Sequence, residues 1–321
     1  MLAYLNKILT FGCCFIFICC SGNDKKDNPV SPSLPDVEWT QQGLDSCMVY
    51  SLIFSPAGSL FAGTNYGLYK SSNNGQKWNL IDQDISKSSI NCFYIHPEGY
   101  LLAGTSNGIY ISSNDGNNWE NKGLLNTSVT SIAINSENKI FAGTRNKGIF
   151  ISDTGYAEWI QTYSDFNSQI FSSLLISPQG IIYAGSAGVY RSNDNGKTWN
   201  LKNNGLGNWQ VYSLIFDNKN NICAGTDLGG FFSSSDNGEK WLKLNSGLDN
   251  TEITTLTINN AGHIFAGTWR GGVYHSSNNG ENWTVVNSGL TNKAIYSLIV
   301  SPDNYLFAGT PRGIFRTRSG L

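Results

Sequence analysis

The chain has 321 residues, 40% of them hydrophobic and 14% charged, with a formal net charge of -2. That balance offers no basic field for nucleic acid and no acidic tail, and the length suits one large domain or two ordinary ones. Thirty-five Gly, 9 Trp and 15 Tyr, beside abundant Asn and Ser, describe an all-β chain with many tight turns.

Residues 1–7 carry one positive charge, and residues 8–19 form a 12-residue apolar run that includes Phe11, Phe15, Ile16, Phe17 and Ile18. Such a run suits the core of a signal peptide and is short for a membrane span. It ends in Cys19-Cys20 and continues as Ser21-Gly22-Asn23-Asp24, without a small-residue A-x-A site. This junction resembles the lipobox of bacterial lipoproteins. The resemblance implies that residues 1–20 are a signal peptide and that Cys20, where the polar segment begins, carries the lipid. Cys19, which stands where that family prefers a small residue, is the alternative. Lipid chains hold a protein to a bilayer at about 0.8 kcal/mol per buried CH₂. Residues 21–36 contain Pro29, Pro32 and Pro35 and almost nothing apolar, and are expected to be a disordered tether. Asp24, Lys25, Lys26 and Asp27 resemble the surface-export signals of Bacteroidetes-type lipoproteins, which implies the outer membrane or cell surface.

From residue 37 onward one unit recurs. Its anchor is a phrase ending in Ala-Gly-Thr or a near variant, starting at Phe61, Leu102, Phe141, Tyr183, Cys223, Phe265 and Phe307, with intervals of 41, 39, 42, 40, 42 and 42. Seven copies at this period, each rich in strand signals, predict a seven-bladed β-propeller of four-stranded blades over residues 37–321. In the first unit Val49–Phe54 is the innermost strand, A. Ser55-Pro56-Ala57-Gly58 is a turn, Leu60–Thr64 is strand B and Gly67–Ser71 is strand C. Strand D covers residues 78–81 and begins at Trp78. The Ala-Gly pair leaves room for close blade packing. No helix is evident.

The C–D turn carries the most specific motif. Ser192-Asn193-Asp194-Asn195-Gly196-Lys197-Thr198-Trp199 fits S-x-D-x-G-x-T-W. Asp236 and Trp241 repeat it, while Asn73 with Trp78, Asn114 with Trp119 and Asn278 with Trp283 place Asn at the Asp position. Asn still accepts a hydrogen bond from turn backbone, and the Trp packs on the blade with its N–H free to find a partner. In the third unit Ser152-Asp153-Thr154-Gly155 is followed by an interval to Trp159 that is one residue longer. These eight-residue units resemble the Asp-box (BNR) repeat. In the resembling families the box lies away from the active site, so a structural role is expected here.

The last unit ends after its strand C, Gly313–Thr317, with no strand D behind it. Residues 37–40, with Trp39 as the seventh repeat Trp, supply the missing strand. It is expected to pair with the last blade and close the ring without an unpaired seam.

The A–B and C–D turns share one face, and the B–C and D–A loops share the other. Variable loops on a rigid scaffold are where function tends to lie. The B–C loops contribute Tyr66, Arg145, Lys147, Asp227, Trp269, Arg270 and Arg312. The D–A loops contribute Asp45, Asp84, Lys87, Asp165, Trp209, Asp249, Glu252 and Lys293. Tyr66, Arg145, Lys147, Trp209, Asp227, Trp269, Arg270 and Arg312 are the candidate ligand face: Arg forks hold carboxylates, and aromatic rings stack on sugars.

Asp-box families include sialidases, xyloglucanase-type glycoside hydrolases, sortilin-like receptors and photosystem II assembly factors. Sialidases have six blades and an Arg-Ile-Pro motif; this chain has seven repeats and no such motif. Xyloglucanase-type enzymes face two propellers across a cleft. Glycoside hydrolysis needs two carboxyl groups about 5–9.5 Å apart, and Asp227, Asp249 and Glu252 form the cluster to watch. His96, His263 and His275 are assigned to different blades, which leaves no metal ligand set. Cys47, Cys92 and Cys223 occupy unrelated repeat positions and suggest no disulfide framework; Cys92 and Cys223 read as buried small hydrophobes. The expected function is a non-enzymatic, monomeric scaffold that binds a protein or a glycan. It has no cofactor, no metal and no nucleic-acid partner, and reaches the membrane only through its lipid. A glycoside hydrolase is the alternative and an assembly factor the third reading.

Overall fold

Each repeat supplies a run such as Val-Tyr-Ser-Leu-Ile-Phe, and these runs become the innermost strands Val49–Phe54, Ile90–Ile95, Val129–Ile134, Ser173–Ile176, Val211–Phe216, Ile253–Ile258 and Ser297–Val300. The computed structural model describes residues 37–321 except 82, 154, 157 and 208, and excepting the side chains of 163–168. The signal peptide, Cys20 and the tether lie outside the described residues. Seven antiparallel sheets follow in chain order and form a seven-bladed β-propeller. The outermost strands are short and exposed, as in Asn79–Leu80 and Thr284–Val285.

The Ala-Gly-Thr phrase explains how neighbouring blades fit. Strand B is fully buried in the first blade (Leu60–Thr64), as in the others. A Cβ on Gly267 would stand 2.6 Å from Ile295 Cγ2, the first apolar residue of the next blade's inner strand, and one on Gly225 would stand 2.5 Å from Ile253 Cγ2. Only glycine permits that approach. The Thr hydroxyl then spans the B–C loop: Thr64 Oγ1 donates to Gly67 O at 2.9 Å, and Thr268 Oγ1 to Gly272 O at 2.9 Å.

The C–D turns are built alike. In the fourth blade Ser192 Oγ donates to Asp194 Oδ1 at 2.8 Å and accepts the Gly196 amide at 2.9 Å, while Asp194 Oδ1 accepts the Thr198 amide at 2.9 Å. Asn73, Asn114, Asp236 and Asn278 make the same bonds in their own turns. Donors from Thr198 hold the Asp194 carboxyl down to about 2. The following residue, Asn195, takes φ 57, a conformation that Asn and Asp tolerate.

The repeat Trp then latches one blade to the last. Trp78 Nε1 donates to Gln42 O at 2.8 Å, Trp159 to Lys122 O at 2.7 Å, Trp241 to Lys202 O at 2.8 Å and Trp283 to Leu244 O at 3.0 Å. Trp39 closes the series on Val286 O at 2.7 Å. Two joints depart. Trp199 donates within its own turn, to Gly196 O at 3.1 Å, and Trp119 Nε1 has no partner among the described residues. Both joints follow irregular connections: the 3₁₀ turn Asp84–Lys87, the helical exception, and the long strand Ile160–Ile170.

The ring closes as the sequence predicts. Trp39–Gln41 pairs antiparallel with Gly313–Thr317, with Trp39 opposite Thr317. The third blade is the irregular one. Its strands B and C run together as Ile140–Ser152, because the residues between them pair outward: Arg145 opposes Ile170 and Lys147 opposes Asn167. Arg145 and Lys147 therefore lie on a strand run rather than in a short free loop. Asp165 falls within Ile160–Ile170, not in a D–A loop, and its side chain lies outside the described set.

Candidate functional site

The second residue of each inner apolar run, on the inner strand or immediately before it, sets the chemistry around one end of the ring. These residues are Tyr50, Asn91, Thr130, Ser172, Tyr212, Thr254 and Tyr296. In five blades the ladder slips there, for example between Val211 and Ser213 and between Ile253 and Thr255. A bulge re-aims the side chain it carries. The smaller polar residues use that freedom to hold the next blade: Asn91 Nδ2 donates to Val129 O at 2.8 Å, Thr130 Oγ1 to Phe171 O at 2.7 Å and Thr254 Oγ1 to Ile295 O at 2.5 Å. The three tyrosines make no such latch: Tyr50 and Tyr296 stack on each other, and Tyr212 lines a pocket with Trp269.

An aromatic arc runs over blades 6, 7 and 1. Trp269 packs on Tyr296 with ring centroids 5.3 Å apart at 30°, and Tyr296 stacks on Tyr50 at 5.8 Å and 24°. Tyr50 Oη reaches Met48 Sδ at 3.6 Å. At the other end, Tyr212, Asp227, Leu228, Glu252, Thr254 and Trp269 line a pocket of about 290 Å³ between blades 5 and 6. Tyr212 and Trp269 remain 40% and 43% exposed, unlike the fully buried strand B beneath them. Burial first, then the Asp227 and Glu252 carboxylates, push the Tyr212 phenol up, and Arg145 opposes them. Asp227 Oδ1 accepts the Leu228 amide at 2.9 Å. Arg270 Nε stands 3.9 Å from Glu252 Oε2, with the Arg270 side chain 75% exposed.

The candidate residues thus divide. Asp227 and Trp269 line the pocket, Arg270 borders it through Glu252, and Arg145 acts on Tyr212. Trp209 lies over the B–C loop of its own blade: a Cβ on Gly229 would meet its Cδ1 at 2.6 Å. Lys147 is engaged elsewhere, donating to Asn126 O and Thr127 Oγ1 at 3.0 Å each. Tyr66 and Arg312 are exposed and line neither described pocket. Of the watched carboxylates, Asp227 and Glu252 share the pocket and Asp249 does not line it. Tyr212, Thr254 and Tyr50 were not marked by loop position, because they sit on strands, and Tyr296 stands immediately before one. Aligning the seven inner apolar runs on their second residue is the signal that finds them. A second cavity, of about 420 Å³, opens among the inner strands of blades 2 to 5, lined by Tyr94, Ile134, Leu174, Ile176 and Phe216 among others.

The histidine assignment needs correction. His263 precedes strand Ile264–Thr268 and His275 lies on Val273–Ser276, so both belong to blade 6; Phe265 pairs with His275. Their rings lie 4.9 Å apart, and His263 Nδ1 and His275 Nε2 are buried without partners. Burial and the neighbouring His263 push His275 down to about 4. Among the described residues no group of three or more His, Cys, Asp or Glu is placed to hold a metal. Cys47, Cys92 and Cys223 are free thiols, and burial pushes Cys92 and Cys223 up to about 12, which leaves them protonated. No helix among the described residues is long and apolar enough to cross a membrane.

Residues 59–177 match the family model of the DUF6242 beta propeller domain. No curated protein matches the chain. Among solved structures, the extracellular domain of BT4673 from B. thetaiotaomicron is similar, with TM-score 0.74 and 20% identity over 88% of this chain and 40% of that one. YCF48 bound to D1 peptide is similar with TM-score 0.70 and 18% identity, over 89% of this chain and 96% of that one. Virginiamycin B lyase from Staphylococcus aureus, solved as an inactive variant with Quinupristin, has TM-score 0.73 and 10% identity over 88% and 98%. The chain thus spans about two-fifths of the BT4673 domain. These likenesses establish a propeller and, at such identities, the fold alone.

Proposed function

We propose that this protein is an extracytoplasmic binding scaffold that holds a protein or glycan ligand on its B–C and D–A loop face without transforming it. One observation carries the reading: Tyr212 and Trp269, both exposed, line a pocket on that face, and Trp269 packs on Tyr296, which stacks on Tyr50. Aromatic anchors flanked by charge are the usual centre of a recognition surface. The opposite face spends its polar groups on its own turns. An extracellular domain and a peptide-bound propeller among the similar folds support the reading without naming a ligand. The turn geometry fits Asp-box ancestry, and the lipobox-like junction fits anchorage through Cys20 with the propeller as a monomer outside the cytoplasm.

Glycan arrays and pull-downs with Trp269→Ala and Arg270→Ala test the face. Binding is expected to fall in Trp269→Ala and to change in Arg270→Ala, and unchanged binding in both sinks the assignment. Cys20→Ala is expected to release the protein from membranes, and retention there refutes the anchor.

A second reading has one observation in its favour, since Asp227 and Glu252 line one pocket. Glycoside hydrolysis by that pair predicts turnover of aryl glycosides that disappears in Glu252→Gln. An assembly factor, the third reading, is a special case of the scaffold and has no residue of its own here.

A further inference from the structure

We infer that the pocket between blades 5 and 6 is a cation seat that takes a lysine or arginine side chain from a peptide ligand. The inference rests on the reading of the loop face as a binding face and names what binds there.

The polar lining sorts ligands by hydrogen-bond type. Asp227 and Glu252 offer acceptors only. The Thr254 hydroxyl spends its proton on backbone, with Ile295 O at 2.5 Å and Gly267 O at 3.0 Å. The Tyr212 phenol is the one lining side chain with a hydroxyl proton to give. A sugar presents neutral hydroxyls that both give and accept, and here the lining donors are the Tyr212 hydroxyl and the Trp269 indole N–H. An ammonium or guanidinium group only donates, and it alone has a charge for the two carboxylates to meet.

The walls favour the same occupant. Tyr212 and Trp269 present ring surface beside the two carboxylates, and a cation over such a ring gains about 0.5–2 kcal/mol. Tyr296 and Tyr50 back Trp269, so the ring is set before the ligand arrives. The volume of about 290 Å³ lies at the lower edge of the range for small-molecule sites, about 300–1,000 Å³, and suits one side chain better than an oligosaccharide.

The chain supplies its own competitor. Arg270, 75% exposed, leans toward Glu252 at 3.9 Å, beyond hydrogen-bond length. Arg145 opposes the acids from blade 3. A ligand cation that enters between the rings displaces Arg270 from Glu252.

The test is titration of the full chain, followed by tryptophan fluorescence, with capped Gly-Gly-Lys-Gly-Gly and Gly-Gly-Arg-Gly-Gly, against the acetyl-lysine peptide and against maltose. Lysine and arginine peptides are expected to saturate below about 10 mM. Acetyl-lysine is expected to bind at least about tenfold more weakly, as is the lysine peptide to the Asp227→Asn, Glu252→Gln double variant. Arg270→Gln, a surface change that leaves folding intact, is expected to tighten binding about two- to fivefold by removing the internal cation. The proposal is overturned if no cationic peptide saturates, if acetyl-lysine binds as well as lysine, if maltose binds in its place, or if the double variant binds unchanged. Its failure is separable from that of the scaffold reading. Loss of native-ligand capture in Trp269→Ala without any cationic-peptide binding removes the cation alone. Capture indifferent to Trp269→Ala removes the binding face with it.

Discussion

The indole N–H of Trp39 donates to the carbonyl oxygen of Val286, 2.7 Å away and 247 residues along the chain. The bond ties the strand that completes blade 7 to the end of blade 6, and repeats at the seam the latch that Trp78, Trp159, Trp241 and Trp283 make elsewhere. Trp39 is 2% exposed and packs with Phe265, Leu290 and Phe315. Trp39→Ala is expected to destabilise the propeller by about 3–5 kcal/mol. Trp39→Phe, which keeps most of the apolar area and loses the N–H, is expected to cost less, with about 1–3 kcal/mol for the orphaned carbonyl and lost bond. Chemical denaturation of both variants measures the difference.

Gly267→Ala is expected to lower stability by about 1–3 kcal/mol or more through overpacking. The new methyl meets Ile295 Cγ2 at 2.6 Å and Thr255 Cγ2 at 2.7 Å. Gly267→Ala combined with Ile295→Ala checks the cause: removing Ile295 Cγ2 takes away the atom the new methyl meets, so the double variant is expected to lose less than the sum of the two single losses in chemical denaturation.

Asp194→Asn is expected to be nearly neutral and Asp194→Ala to cost about 1 kcal/mol, in line with loss of a side-chain acceptor for turn amides. Asn73, Asn114 and Asn278 already do the same work in three other blades. Equal losses in the two variants, read by thermal unfolding, refute a turn-building role.

The architecture was legible because its causes repeat. A glycine that must touch the next blade, a Thr that spans a loop and a Trp that latches backward recur at a fixed period, so seven copies speak for one another. The site was legible only in part, since it arises where the copies differ. Trp269 and Asp227 stood out as odd loop residues. Tyr212 and Thr254 occupy a position whose side chain in blades 2 and 3 holds the next blade, and adjacency across blades 5 and 6 is invisible along the chain. The outward pairing of Arg145 with Ile170 required knowing that Ile160–Ile170 extends as strand, which a polar segment such as Thr-Tyr-Ser-Asp-Phe-Asn-Ser does not announce. His263 and His275 meet because Ile264–Thr268 folds back on Val273–Ser276, a hairpin contact that their separation along the chain does not announce.

Acid is expected to weaken the fold through His275. Its folded pKa of about 4 lies below the ordinary 6.5, so the unfolded chain binds the proton first. Stability from the neutral, buried ring is complete above pH 6.5, falls as pH drops toward 4, and changes no further from this group below that. The loss is on the order of 3 kcal/mol. Denaturation midpoints at pH 7, 5.5 and 4 for the parent and His275→Phe measure it (about these three values bracket the window). The variant is expected to lose that part of the slope, and an unchanged slope assigns it to other groups.

The most direct test of the central claim, that one face binds and the other builds, is site-specific photocrosslinking in the native cell envelope. A benzophenone side chain is placed at Tyr66, Leu228 or Trp269 on the loop face and at Gln76, Asn117 or Glu281 on the turn face. Adducts from the loop-face positions alone, strongest next to the pocket at Leu228, are the predicted result. Adducts from the turn-face positions with none from Leu228 or Trp269 contradict the account.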